Sequence, residues 1–149
     1  MNNKLIILFL ISTLTACEYS NSTRVCNHTR NDATLKLTFD TLVMNTWSGG
    51  MLKKNLTATF QNWGENLIPL DIDTVNYYAK FLIKPSVCGK IEGGMNRRPN
   101  FNFFKEIEII SEFDTIQLRT KAEMRKAFNA DRENPDYFFD LLLQEKTDR

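Results

Sequence analysis

The residues of this 149-residue chain with the widest chemical repertoire are one histidine, His28, and three cysteines, Cys17, Cys26 and Cys88. A histidine base needs a nucleophile within hydrogen-bond reach and a third group to orient it. His28 stands among polar residues in "CNHTRND", and no serine sits in a G-x-S-x-G, so no triad is expected. Carboxylates pair at Asp71 and Asp73, and again at Glu106 and Glu108, each at i and i+2 and therefore on one face of a strand. Glycosidic chemistry needs two carboxyls about 5–10 Å apart across a cleft. Alternating with Ile72, or with Ile107 and Ile109, these pairs read instead as the solvent face of a strand. "DIDTVN" lacks the glycine and closing glutamate of an EF-hand loop. Neither Cys26 nor Cys88 lies in a C-x-x-C, so no metal centre is expected either. The residues thus point to a protein that is not an enzyme and uses no cofactor.

Binding chemistry is better represented. Arg97, Arg98 and Lys105 stand beside Phe101, Phe103 and Phe104, downstream of Gly93-Gly94. Cations interleaved with aromatics suit an acidic or glycan partner, while the same phenylalanines also suit the start of a strand. In "NTWSGGMLKK", Trp47 fits a turn. It is either an exposed anchor for a partner or a plug in the end of the fold. Trp47, Arg97 and Arg98 are the residues expected to bind a partner, because interface hot spots favour Trp, Tyr and Arg.

These loops need a scaffold, and period-two alternation supplies one. "ATLKLTFDT" puts Ala33, Leu35, Leu37 and Phe39 on one face, and "NLTATFQN" puts Leu56, Ala58 and Phe60 on one face. Both read as half-buried strands of an antiparallel sheet. "LIPLDI" continues the pattern, with Pro69 marking an edge or a bulge. "TVNYYAKFLI" places Val75, Tyr77, Ala79, Phe81 and Ile83 together, with a helix as the alternative. "FKEIEII" and "DTIQLRT" add two more strands. Thr120 with Glu123 forms a capping box and starts a helix near 121–130. In "NPDYFFDLLLQEK", a strand through Tyr137, Phe139, Leu141 and Leu143 is preferred over a helix begun by Asn134-Pro135. About seven short strands and one short helix predict a mainly β, antiparallel two-sheet sandwich over residues 33–149. The layout resembles immunoglobulin-like or transthyretin-like modules in pattern alone, with no domain motif behind it. Residues 18–32, rich in Asn, Ser and Thr, read as a solvated tether.

The amino terminus carries the one specific motif. Lys4 and the apolar run "LIILFLISTL" form a secretory leader, too short for a membrane-spanning helix of about 20 residues. It ends in Leu14-Thr15-Ala16-Cys17, which resembles the lipobox of bacterial lipoproteins. That resemblance implies removal of residues 1–16 and a lipid on Cys17, so that 17–32 is a lipid-anchored tether. It implies a cell-envelope location, and Glu18 rather than Asp after the cysteine favours the outer membrane, facing the periplasm or the exterior. With Cys17 lipidated, two cysteines remain in an oxidising compartment, and a Cys26–Cys88 disulfide is expected over two free thiols.

Lys and Arg number 19 against 18 Asp and Glu, for a net charge of +1. That balance argues against nucleic acid or an anionic membrane surface as the main partner. The sequence therefore predicts a lipid-anchored, non-enzymatic envelope module that binds a protein, of the inhibitor or immunity type. The alternatives are an assembly lipoprotein of an envelope or secretion complex and, behind it, a carboxylate-based envelope hydrolase.

Overall fold

The computed structural model describes residues 20–47, 56–95, 98–131 and 138–145. The leader, Cys17 and Arg97 fall outside the described residues. Eight strands make two sheets that share one core, with three short helices around them.

The larger sheet is the one that alternation announces. β2 (Ala33–Phe39) lies at its centre, between β4 (Tyr78–Ile83) and β6 (Phe104–Ile110), with β3 (Ile68–Asp73) and β7 (Thr115–Leu118) at the edges. All its pairings are antiparallel. Leu35 stands opposite Phe81 on one side and Ile109 on the other, so the apolar faces of three strands coincide and bury together. Pro69 lies on the edge strand, where the β3–β4 register shifts between Pro69 and Asp71, as a residue without an N–H requires. The structure ends the predicted alternation of "TVNYYAKFLI" early. Val75 is exposed in the turn before β4, and only Ala79, Phe81 and Ile83 are buried.

The smaller sheet has the order β5-β1-β8, built from β5 (Cys88–Met95), β1 (Ser20–Asn27) and β8 (Phe138–Leu143). β1 corrects the reading of 18–32 as a tether. From Ser20 to Asn27 the chain is the central strand of a sheet, and it turns Asn21, Thr23, Val25 and Asn27 inward. Three of those four are polar, so hydropathy gave no sign of a buried face. The sheet is also not purely antiparallel, because β1 runs parallel to β8. β8 itself is a strand, as preferred over a helix, and it buries Phe139, Leu141 and Leu143.

Two helices stand where none was expected. α1 (Thr41–Trp47) is capped by Asp40, whose Oδ1 accepts from the N–H groups of Leu42 and Val43 at 3.0 and 3.2 Å. α2 (Leu56–Trp63) occupies the stretch read as a strand. Leu56 and Phe60 fit a period of four as well as a period of two, and Ala58, which the strand reading buries, is exposed. Gly64 closes α2 against the core, where a Cβ would stand 2.6 Å from the Phe81 ring. α3 (Lys121–Ala127) has the predicted capping box. Thr120 accepts from the Glu123 N–H, and the Glu123 carboxylate accepts from the Thr120 N–H.

The sheets are joined at one corner by Asn27, beside the Cys26–Cys88 disulfide, which staples β1 to β5 within the smaller sheet. Cys26 and Cys88 are directly paired across β1 and β5, with Cα atoms 4.0 Å apart. The buried Asn27 amide donates to the carbonyls of Asn31 and of Ile83, the last residue of β4 in the other sheet, at 2.8 and 3.0 Å. Its Oδ1 accepts from the N–H and hydroxyl of Thr29 at 3.0 and 2.7 Å. Every donor and acceptor of that side chain is thereby used.

Candidate functional site

An aromatic ridge rises at the edge of the core. Trp47, the last residue of α1, is 62% exposed. Its indole packs edge-on against Phe103 at 5.3 Å and Trp63 at 6.4 Å, and Trp63 meets Phe103 at 5.3 Å. The triangle is founded on Trp63. That ring contacts Phe39 and Phe104 of the core, and its Nε1 donates to the Ile91 carbonyl at 2.6 Å. One indole is thus fixed by both ends while its neighbour faces water.

Grooves run along both sides of Trp47. One, of about 360 Å³, lies between α2 and β5 and is rimmed by Asn62, Glu65, Lys90 and Glu92. The other, of about 470 Å³, lies between α1 and the 98–103 loop, with Thr46, Asn100 and Asn102 on its rim. Trp47 and Phe103 line both. An aromatic ridge between polar-rimmed grooves suits recognition of a surface with an apolar centre and polar edges.

The loop that presents Phe103 is held in an uncommon backbone. Phe101 is buried yet has φ of 55°, a region that side chains other than Gly, Asn and Asp rarely adopt. Three contacts enforce it. The Phe101 ring packs on Phe128 at 5.2 Å, its N–H donates to the Glu92 carboxylate at 3.2 Å, and Lys121 Nζ donates to the carbonyls of Phe101 and Phe104. Burial pushes the Lys121 ammonium below the ordinary lysine range, against the opposing pull of Asp40 and Glu92. Residues in sparsely populated backbone regions persist only where the surrounding structure over-determines them. Phe103 is presented by such a loop.

The expected site residues divide. Trp47 is exposed and does not plug the end of the fold, and it stands on a helix end instead of a turn. Arg98 is exposed and is not among the residues lining either groove. Its loop reaches Trp47 through Asn100, Asn102 and Phe103. Arg97 and Cys17 lie outside the described residues. Trp63 and the grooves were missed, since the ridge joins residues from three separate stretches and a strand reading of α2 sends Trp63 into a turn.

The four paired carboxylates are engaged in hydrogen bonds. Glu106 accepts from Arg119 Nε at 3.0 Å and Glu108 from Gln117 Nε2 at 2.7 Å, on the outer face of β6. Asp71 accepts from the Tyr78 hydroxyl at 2.8 Å and so raises that phenol's pKa. Asp73 closes the turn before β4 by accepting from Asn76 and Val75, bonds that hold its pKa below the usual carboxylate range. None of the four carboxylates lines either groove. His28 follows β1 directly and lies beside the Cys26–Cys88 disulfide. No helix among the described residues is long and apolar enough to cross a membrane. Comparison with family models, characterised proteins and solved structures finds no match to this chain.

Proposed function

We propose that this chain is a lipid-anchored, non-enzymatic binding module of the bacterial cell envelope, carried on the outer membrane by Cys17, and that it captures a protein partner on the Trp47 ridge. The partner is a toxin or hydrolase that it neutralises, or a neighbouring envelope component. The lipobox-like Leu14-Thr15-Ala16-Cys17 supports the anchor. The observation that carries the binding function is Trp47 itself, a large ring turned to solvent yet braced by two other rings between two grooves. A braced aromatic loses little side-chain freedom on docking, so more of its burial reaches the binding free energy.

Capture from an intact envelope extract tests this reading. Trp47→Ala and Phe103→Ala should each weaken recovery of one soluble partner at least tenfold, equivalent to about 1.4 kcal/mol. Undiminished capture by both variants overturns the ridge as the binding surface. The anchor is tested separately: Cys17→Ser should take up no radiolabelled palmitate, and label on that variant refutes lipidation at Cys17.

A second reading, an assembly lipoprotein, draws on β8. This strand is an edge of the smaller sheet among the described residues and leaves Phe138 and Leu142 exposed. Such an edge is a template for pairing with another strand. Recovery of a large complex that survives Trp47→Ala but not Leu142→Lys favours it.

A further inference from the structure

The corner at β1 carries a third donor beside its disulfide. Cys26 and His28 sit at i and i+2, and Cys88 is the direct cross-strand partner of Cys26. The two sulfurs and a ring nitrogen of His28 all lie within 4.8 Å of one another. We propose that, once the disulfide is reduced, Cys26, Cys88 and His28 bind one thiophilic d10 cation, Zn²⁺ or Cu⁺.

Thiolate and imidazole together suit these ions. A cation with bonds of about 2.3 Å to sulfur and 2.0 Å to nitrogen needs donors roughly 3.5–4 Å apart. The three donors already lie within 4.8 Å of one another, a little beyond that spacing at most. The backbone that carries the donors does not depend on the S–S bond. Asn27 N–H donates to the Val87 carbonyl at 2.9 Å, Ser86 N–H to the Asn27 carbonyl at 2.7 Å, and His28 N–H to the Leu143 carbonyl at 2.9 Å. Access is graded, from a buried Cys26 through a half-buried Cys88 to an exposed His28, so an ion enters from the histidine side and keeps a position open to water. The flanking cations are paired, Arg24 with Asp140 at 2.7 Å, Lys90 with Glu65 at 3.2 Å and Arg30 with Glu145 at 3.6 Å. They leave no uncompensated positive charge to repel the ion.

The exchange balances as follows. A dithiol reductant gives two electrons and two protons to the Cys26–Cys88 bond, becoming a disulfide itself and leaving two thiols. Metal binding then releases the thiol protons to buffer. Oxidised, the sulfurs bond to each other and the site is closed. Reduced, the ion replaces the covalent staple at the same corner.

The test uses the full chain with Cys17→Ser, which leaves only these two thiols. The chain is reduced with a dithiol, freed of reductant without oxygen, and titrated with Zn²⁺ or Cu⁺ against a chromophoric chelator. One ion per reduced chain and none per oxidised chain is the expected result. His28→Ala should weaken binding at least tenfold without moving the melting temperature of the oxidised form. In the unsubstituted corner, the His28 ring resonances should shift on adding Zn²⁺. Equal uptake by the oxidised chain, or unchanged affinity in His28→Ala, overturns the proposal. Loss of near-ultraviolet circular dichroism on reduction, before any metal is added, overturns it too.

Discussion

The Asn27 corner and the Trp47 ridge both join elements that are distant in sequence, and they use their polar groups in opposite ways. At the corner, one buried amide makes four hydrogen bonds and links the end of β1 to the end of β4 in the other sheet. At the ridge, the polar groups ring two grooves while three aromatic rings brace one another. One region is closed, with its donors and acceptors facing inward. The other is rigid but open, with its polar rim facing water. Rigidity alone therefore does not separate a closed knot from an open ridge; the direction in which the polar groups face does.

The contrast breaks most visibly between the two indoles. Trp63→Ala removes a ring that contacts Phe39, Phe104, Phe103 and Trp47, together with the bond to the Ile91 carbonyl, and should cost about 3–5 kcal/mol. Trp47→Ala should cost under about 1 kcal/mol, as an exposed position does. Thermal unfolding of the two variants checks the pair, and equal losses would merge ridge and core into one unit.

Asn27→Ala comes next, at about 2–3 kcal/mol, because it strands the buried Thr29 N–H and the Ile83 carbonyl. Denaturant unfolding of the oxidised protein measures it. A loss under about 1 kcal/mol would mean that the Asn27 side chain is not what joins the two sheets.

Thr23 sharpens the comparison in the opposite direction. Its hydroxyl oxygen is buried with no hydrogen-bond partner, although its strand neighbours are satisfied. Thr23→Val keeps the shape and removes the unsatisfied group, so it should stabilise by about 1 kcal/mol. A destabilised variant would show that the hydroxyl is bonded in solution.

The smallest effect is that of acid on the cap of α3. Hydrogen bonds from the Arg119 and Thr120 backbone hold the Glu123 carboxyl below the usual range. Its contribution is present above the unfolded-state value and is lost as pH falls through the folded-state value. The acid limb of stability should therefore flatten slightly in Glu123→Gln, as measured by melting temperature across the carboxylate range. An identical limb would show that Glu123 is not coupled to folding.

The larger sheet was legible because β2, β4 and β6 alternate apolar and polar residues and bury the apolar set. The α3 cap was legible because Thr120 and Glu123 stand three apart with helix formers behind them. β1 was hidden by its own chemistry, since an inward row of Asn21, Thr23 and Asn27 looks solvated to any reading that equates burial with apolarity. α2 was ambiguous because Leu56 and Phe60 satisfy both periods. The ridge shows the same limit. Trp47 was marked by its residue type, but its braces, Trp63 and Phe103, come together only through the correct placement of α2 and the Phe101 loop.

The start of β1 at Ser20 fixes how the module is held. Only Glu18 and Tyr19 separate Cys17 from that strand, and three peptide steps span at most about 11 Å. With Cys17 acylated, as proposed, the domain has almost no lever arm. Ser20, paired with Met95, becomes the described residue closest along the chain to the lipid. The groove beside Trp47 reaches Gly93, which pairs with Ser22, two residues along β1 from Ser20. A soluble partner would then meet this surface close to the lipid headgroups. Lengthening the Glu18–Tyr19 spacer would carry that surface away from the bilayer.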